Sequence, residues 1–474
     1  MSKFDFNPVK YKKKLLPLLK ELRSAAKLTP KAYHKIIRRH PKAKSQLFSK
    51  SEIIAGLRHF NYPALVKKLQ MKPIRTLSGV VPVTLLTKPY PCPGKCIYCP
   101  NDPDMPKSYL SNEPGAQRAG LNQFDPYHQA YTRLQAYYAN GHPTDKVELI
   151  ILGGTWSAYP LKYQLWFIKR CFDALNDFQP GKTKKLPKIQ TTSIATWTQL
   201  KKSQRTNETA TTRCIGLSLE TRPDFITQKQ IINLRRLGCT KLQIGVQSLD
   251  SQILKLNLRG HTLKSTKQAF KLLRLAGFKI QAHWMANLYG SNPQKDIQDF
   301  KKLFSQSDYR PDELKIYPTS LLATAPLMDY YHQGLWQPYT QSKLLKILTT
   351  ILPTIPPYCR LTRMIRDFSA QDIVAGSKTS NLRQLVEKQV LAKNKTIQEI
   401  RFREIRHQRF NLKTLKLKII SYSTSIGQEK FLQFITPDNH IVAFLRLSLP
   451  QKQPFIKELQ NSALSEKSMF MVKP

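Results

Sequence analysis

The sequence predicts an α/β protein: parallel βαβ units, in an open sheet or a full or partial (β/α) barrel, preceded by a basic helical domain and followed by a hairpin-like tail. Three observations carry that expectation. From about residue 79, short β-rich runs alternate with amphipathic helical stretches, the pattern of parallel βαβ units. Residues 1–78 lack such runs and show apolar residues at helical spacing, with Lys and Arg filling the other positions. Towards the end of the chain, "EKFLQFITPDNHIVAFLRLSLP" (429–450) reads as a hairpin.

In the first stretch, "KLLPLLKELRSAA", "TPKAYHKIIRRHPKAKSQ" and "SKSEIIAGLRHF" each read as a helix. Thr29 followed by Pro30 is an N-cap with proline at the first helical position. Six runs then read as strands: "VVPVTLLT", "KVELIILGG", "CIGLSLE", "KLQIGVQS", "FKIQAHWM" and "ELKIYPT". Residues 116–140 and 262–277 read as helices between them. The polar, Lys- and Thr-rich segment 178–213 reads as an exposed insertion or long loop. Residues 366–415 form a connecting region with a Lys-rich helix around "SNLRQLVEKQVLAKNK". The segment 416–474 ends in a hairpin turning at Pro437–His440.

The 474 residues include 77 Lys and Arg against 30 Asp and Glu, a formal charge of +47. Such a surplus attracts polyanions and points to nucleic acid as a partner, beyond what a solvated basic face alone requires. No apolar run approaches the ~18–20 residues of a membrane span, and the amino terminus lacks the apolar centre of a signal peptide. Seven cysteines, an odd number in a chain this long, do not read as a disulfide framework. A reducing, cytoplasmic setting is expected.

Three of those cysteines, Cys92, Cys96 and Cys99, stand as C-x3-C-x2-C in "KPYPCPGKCIYCPNDPD", just after the first strand. Structural zinc would need a fourth ligand, usually from a second Cys or His pair, and the remaining cysteines stand alone. Three thiolates suit a [4Fe–4S] cluster with one iron left without a protein ligand. That iron can chelate the amino and carboxylate groups of S-adenosylmethionine, whose C–S bond an electron from the cluster can cleave. Tyr98 supplies the aromatic that commonly precedes the third cysteine in radical S-adenosylmethionine enzymes.

Other strand ends carry polar residues where an open parallel sheet or barrel places its chemistry. Gly153, Gly154 and Thr155 follow the second strand, and two glycines allow close backbone approach to a cofactor. Glu220 and Arg222 end the third strand; Gln247 and Ser248 end the fourth. Each pair alone would be ordinary capping. Together they favour one shared site, with Gly153, Gly154, Thr155, Glu220 and Gln247 as candidate cofactor ligands. No catalytic acid or base is singled out.

At this point the sequence resembles a known family. "SGVVPVTLLTKPYPCPGKCIYCP", "PKSYLSNEPGAQRAGLNQFDPYHQAYTRL", "DKVELIILGGT", "GLSLETRPD", "LGCTKLQIGVQSL", "LNLRGHTLKS", "LKIYPT" and "AGSKTSNLRQL" follow one another as in the catalytic subunit of Elongator and its single-chain bacterial and archaeal relatives. The resemblance runs from about residue 70 to about residue 450. It implies a partial barrel of the radical S-adenosylmethionine type and an acetyltransferase-like domain. It also implies a tRNA substrate whose wobble uridine is carboxymethylated at carbon 5, with acetyl-CoA as co-substrate. By the same resemblance Cys92, Cys96 and Cys99 hold the cluster, Lys146 meets acetyl-CoA, and Lys35, Arg38 and Arg39 meet the tRNA backbone. The single-chain type argues against accessory subunits.

The sequence departs from the family in four places. The last glycine is Gly427, so no Gly-rich loop for the CoA pyrophosphate follows the hairpin. "IKELQNSALSEKSMFMVKP" (456–474) stands where relatives continue into that core, so a shortened acetyltransferase-like segment and weak acetyl-CoA binding are expected. "HWMANLYG" (283–290) replaces a "HMMPDLPG" pattern, and "TIQEIRFREIR" lacks the cysteines of a zinc site, so no zinc is expected. The cysteine spacing is shorter than is common in the family but widespread in the larger radical class. The rival readings are a radical enzyme with another tRNA substrate or group donor, and a degenerate tRNA-binding protein without acetyl transfer.

Overall fold

Seven strands form one sheet in the order β1-β2-β3-β4-β5-β6-β8. They are β1 (Val81–Leu86), β2 (Lys146–Leu152), β3 (Arg213–Thr221), β4 (Lys241–Gln247), β5 (Lys279–Ala286), β6 (Glu313–Pro318) and β8 (Arg360–Arg363). The computed structural model describes residues 6–25, 27–182, 184–190 and 194–451. The sequence expectation for 456–474 therefore lies outside the described residues. Pairing is parallel from β3 through β4, β5 and β6 to β8. Strands covered on both faces must be apolar along their length. In β4, Leu242, Ile244 and Val246 are fully buried, and so are Ile280, Ala282 and Trp284 of β5. The sheet is a partial barrel, one of the arrangements that the strand–helix alternation allows and the one that the family resemblance implies.

All six strands read from the sequence are present; the seventh, β8, is not among them. Its four residues, Arg-Leu-Thr-Arg, carry two cations and no alternating signal. They pair because β6 offers an edge, with Glu313 opposite Arg360 and Leu314 opposite Leu361. A short antiparallel pair, β7 (Leu321–Leu322) with β9 (Ile373–Ala375), follows the last barrel strands. The Lys-rich helix of the connecting region spans Leu382–Ala392.

The chain divides into two compact units. The first comprises residues 1–85, 125–150 and 165–215; the second comprises 86–124, 151–164 and 216–474. The first opens with four helices, α1 (Lys12–Ser24), α2 (Pro30–Arg39), α3 (Lys50–His59) and α4 (Pro63–Leu69). Leu15, Leu18, Leu19 and Leu22 recur at i, i+3, i+4 and i+7, so α1 buries one stripe against Ile37, Ile54, Leu57 and Val66. Thr29 caps α2 as expected, its Oγ1 accepting from the Ala32 N–H at 3.2 Å. Ser49 and Glu52 form a reciprocal capping box at the start of α3. Gly56 lets α1 and α3 close up: a Cβ there would lie 2.5 Å from Leu15 Cδ2.

Two expectations need correction. The stretch 116–140 is two helices, Pro114–Leu121 and Pro126–Ala139, not one. Gln123 and Phe124 take left-handed backbone angles, and Asp125 then caps the second helix by accepting from the His128 N–H at 3.0 Å. Asp125 is fully enclosed, and Arg170 pairs with it at 3.1 Å, so tertiary charge pairing holds the break. Segment 178–213 is not simply a loop, since it contains a helix at Trp197–Glu208. Thr196 and Gln199 form its capping box, and the buried Asn207 side chain accepts from the Cys214 N–H at 2.7 Å.

Within the second unit, β10 (Lys416–Thr424), β11 (Gly427–Ile435) and β12 (Ile441–Pro450) form an antiparallel sheet. The hairpin turns between β11 and β12 where expected, with the Thr436 N–H donating to the His440 carbonyl at 3.0 Å; β10 extends it to three strands. One face of this sheet packs on the barrel. There Arg446 donates to Asp312 at 3.2 Å, and the Tyr422 ring stacks on Tyr358 at 3.7 Å. Among the described residues no helix is long and apolar enough to cross a membrane.

Candidate active site

A cleft lies at the carboxyl ends of the parallel strands, enclosing about 860 Å³ of non-protein space that is partly open to solvent. Parallel sheets put their loops and unpaired strand ends there, so polar side chains collect at that edge while the strands stay apolar. The loop after β1 contributes Cys92, Cys96 and Cys99; Gly154 and Thr155 follow β2; Glu220 ends β3 and Gln247 ends β4. The structure thus brings together the three cysteines and four of the five cofactor-ligand residues read from the sequence.

The three thiols differ in surroundings. Cys96 is buried and accepts from Arg259 Nη1 at 3.4 Å. The Cys99 thiol donates to Cys96, and with the Arg259 charge beside it the Cys96 thiol is held well below its ordinary value. Cys99 is pushed up in return, first by that hydrogen bond and then by burial. Cys92 sits against Thr155 Oγ1 at 3.8 Å and accepts from the Gly94 N–H at 3.4 Å. Among the described residues no three His, Cys, Asp or Glu side chains converge on a single metal ion. The three thiols instead stand along the wall of one cleft, as a cluster of several irons, each taking one thiolate, requires.

The rest of the lining suits a polar ligand. Gln247 Oε1 and Arg222 Nη1 are buried without hydrogen-bond partners, a state that costs free energy unless a ligand satisfies them. Gln247 also holds a left-handed φ of 67° at its strand end, which turns the backbone out of the ladder. Glycines keep the walls close: a Cβ at Gly94 would lie 2.3 Å from Arg222 Nη1, and one at Gly245 would lie 2.5 Å from Arg259 Nη2. Three thiols, unsatisfied polar atoms and a glycine-thinned wall fit an iron–sulfur cluster with a polar cofactor beside it.

Glu220 and its neighbours form the cleft's second polar group. Its carboxylate accepts from the Tyr109 hydroxyl at 2.9 Å, and His283 Nδ1 lies 4.0 Å away. Burial, with the Lys315 and Arg366 charges, drives His283 well below its ordinary value, so it is neutral. Lys315 on β6 donates to Gln243 Oε1, and Gln243 Nε2 donates to Ser218 Oγ at 3.0 Å. Burial lowers Lys315 to about 7, with the Glu220 charge opposing.

Arg259, His283, Lys315 and Arg366 are the residues that the sequence reading did not pick out. For His283 and Lys315 a signal exists, since each interrupts an apolar run of a strand buried on both faces. Arg366 carries none, as it follows β8 in an irregular segment.

Gly153 does not line the cleft. Its φ is 143°, and a Cβ there would lie 1.8 Å from Thr87 Oγ1, so its smallness serves the packing of the loop after β1. Lys146 stands at the start of β2 in the first unit, half exposed and 3.5 Å from Asp145, and is not part of the cleft lining. Lys35, Arg38 and Arg39 lie exposed on α2, and Arg39 pairs with Glu21.

A parallel partial barrel with a C-x3-C-x2-C loop at its carboxyl edge defines the radical S-adenosylmethionine class, enzymes that use a [4Fe–4S] cluster and S-adenosylmethionine. The family described as "Radical SAM superfamily" matches residues 90–303, and the "Radical_SAM C-terminal domain" matches 311–391. The tRNA uridine(34) acetyltransferase of Methanocaldococcus infernus is 38% identical over 429 residues, covering 88% of this chain and 77% of the relative. Human Elongator complex protein 3 is 33% identical, covering 86% and 74%. The solved archaeal Methanocaldococcus infernus Elp3, with an N-terminal deletion, superposes with a TM-score of 0.66 at 34% identity, over 79% of each chain. The chain belongs to the family of the tRNA uridine(34) acetyltransferases and Elongator complex protein 3.

Proposed function

We propose that this chain modifies uridine 34, the wobble position of tRNA, at carbon 5 by radical S-adenosylmethionine chemistry, with acetyl-CoA as donor of a carboxymethyl group. The observation that carries the reading is the cleft in which Cys92, Cys96 and Cys99 face Glu220 and Gln247; the names of the relatives support the substrate. Cys92, Cys96 and Cys99 would hold the cluster, and Gly154, Thr155, Glu220 and Gln247 the cofactor, with Gly153 keeping their loop in place. When bound, the cluster and S-adenosylmethionine supply the one-electron chemistry that removes hydrogen from an unactivated carbon.

The chain's own part is positional and electrostatic. The Cys99 hydrogen bond, with the Arg259 charge beside it, keeps Cys96 ready as a thiolate, the form that binds metal. Tyr109 orients Glu220 by donating to it. Neutral His283 and Lys315, poised near pH 7, offer places where a proton can rest beside Glu220. Lys35, Arg38 and Arg39 would grip the tRNA backbone, and Lys146 would pair with a phosphate of acetyl-CoA. Residues 1–78 then act as the tRNA-binding domain, 79–365 as the radical domain, 366–415 as a connector and 416–474 as an acetyltransferase-like segment. Such an enzyme works where tRNA is, in the cytoplasm.

The test is anaerobic reconstitution followed by incubation with tRNA, S-adenosylmethionine and a reductant, with and without acetyl-CoA. The expected result is 5′-deoxyadenosine together with carboxymethylated uridine 34, both dependent on acetyl-CoA. 5′-Deoxyadenosine formation indifferent to acetyl-CoA would point to another donor. Salt-sensitive tRNA binding with no nucleoside product would reduce the chain to a binding protein.

A further inference from the structure

Part of the cleft is used by neither the thiols nor the cofactor ligands. Tyr317, Arg366 and Phe368 line it, with Met285 and Ser320 beside them. The guanidinium carbon of Arg366 lies 4.5 Å from the centre of the Phe368 ring, 5.4 Å from that of Tyr109 and 5.8 Å from that of Tyr317. Its Nη2 donates to the Ser108 carbonyl at 2.6 Å. Among the described residues that is its one hydrogen bond, and it forms no ion pair there. The charges of Glu113 and Glu220 act on it, but neither carboxylate takes up its other N–H groups. The Tyr317 hydroxyl also has no hydrogen-bond partner among the described residues. Ser108 Oγ stands 3.0 Å from Cys99 Sγ, so this pocket adjoins the cysteine loop.

A guanidinium held among aromatic rings, with donors to spare, suits an unpaired base: rings stack on its face and N–H groups meet its edge. Chemistry on a base requires that base to leave its stack and enter the enzyme. We propose that Arg366 selects uracil in this pocket, donating to the oxygen on carbon 4 while Tyr317 and Phe368 pack on the ring. The inference rests on uridine 34 being the base acted on. Guanidinium is a donor only. Uracil presents an acceptor at carbon 4, whereas cytosine presents an amino group that is itself a donor. Cytidine would set donor against donor and leave an Arg366 N–H unpaired in an enclosed place. Carbon 4 adjoins carbon 5, so the same contact orients the carbon that reacts. Ser108, which anchors Arg366 through its carbonyl, is a positioning residue for that contact.

The test measures binding of the reconstituted full chain to anticodon stem–loop RNAs that differ only at position 34: uridine, 4-thiouridine, cytidine or no base. Uridine should bind about tenfold more tightly than cytidine, the loss expected for one hydrogen bond to a charged donor. 4-Thiouridine, with sulfur as a poorer acceptor, should fall between them. Arg366→Gln should bind uridine and cytidine alike and the baseless RNA as the unmodified chain does; Arg366→Lys should restore part of the preference. Phe368→Leu should weaken every RNA that carries a base several-fold and keep the preference. Iron content checks that each variant is intact. Equal affinity of the unmodified chain for uridine and cytidine would overturn the assignment, however the variants fold. So would a preference that survives in Arg366→Gln, or an equal loss for the baseless RNA, which would give Arg366 to the phosphate backbone. Binding is read without turnover, so a chain that keeps the preference yet makes no carboxymethyluridine would overturn the proposed reaction and uphold the selection by Arg366.

Discussion

On α2, Lys35 and Arg38 extend into solvent, whereas Arg259 and Lys315 are enclosed in the second unit. The same two residue types thereby acquire opposite properties. The exposed cations keep a charge that salt screens, useful for attracting a phosphate backbone and weak as a contribution to stability. The enclosed cations each face a named partner, Cys96 for Arg259 and Gln243 for Lys315, and their environment sets what they can do. Formal charge is read from composition; its use is decided by burial.

The largest expected effect lies on the enclosed side. Cys96→Ala should remove one of the three thiolates, leave the purified protein with little iron, and lower 5′-deoxyadenosine formation at least ~100-fold, because a cluster missing a ligand is not retained. Iron content and visible absorbance check it. Unchanged iron loading would separate Cys96 from the cluster and break the contrast with α2.

Lys315→Met comes next. Burial depresses the lysine to about 7, so between pH 7 and its ordinary value near ~10.4 the unfolded chain binds more protons than the folded one. Lys315 therefore costs stability below pH 7, and the cost is relieved as pH rises through that window. Methionine, similar in length and uncharged, should raise the melting temperature at pH 6 and have little effect near pH 10. At the same time it should lower turnover roughly tenfold by removing a proton site. A melting-temperature gain that does not depend on pH would show that Lys315 is not titrating there.

The exposed side gives smaller, salt-dependent effects. The double variant Lys35→Ala, Arg38→Ala should reduce the slope of log affinity for tRNA against log salt by up to about 2, without changing turnover at saturating tRNA. Arg39→Ala should do less, as Arg39 is already paired with Glu21. Smallest is Thr29→Ala, which removes the cap of α2 at a cost of ~1 kcal/mol. Chemical denaturation would register it, and the tRNA salt slope should stay unchanged.

Much of the architecture was legible because its signals are local. Six strands announce themselves as apolar runs, Thr29-Pro30 starts a helix, and three cysteines within eight positions describe a metal-binding loop. That Glu220 and Gln247 line the cleft is legible because they end strands, and strand ends meet at one edge of a parallel sheet. The misses have two causes. β8 exists through the edge of β6, the break at Asp125 through Arg170, and the helix Trp197–Glu208 sits in a segment whose polar composition resembles a loop.

The sequence by itself determined the fold class, the cysteine loop and the excess of positive charge, since periodicity, spacing and composition need no partner from elsewhere in the chain. Tertiary structure alone decided that Gly153 clears Thr87, that Arg259 faces Cys96, and that Lys315 lies enclosed near Glu220. Each of those pairs is separated by more than sixty residues. Burial and long-range proximity set a side chain's charge and reach, and neither is encoded within a short window of sequence.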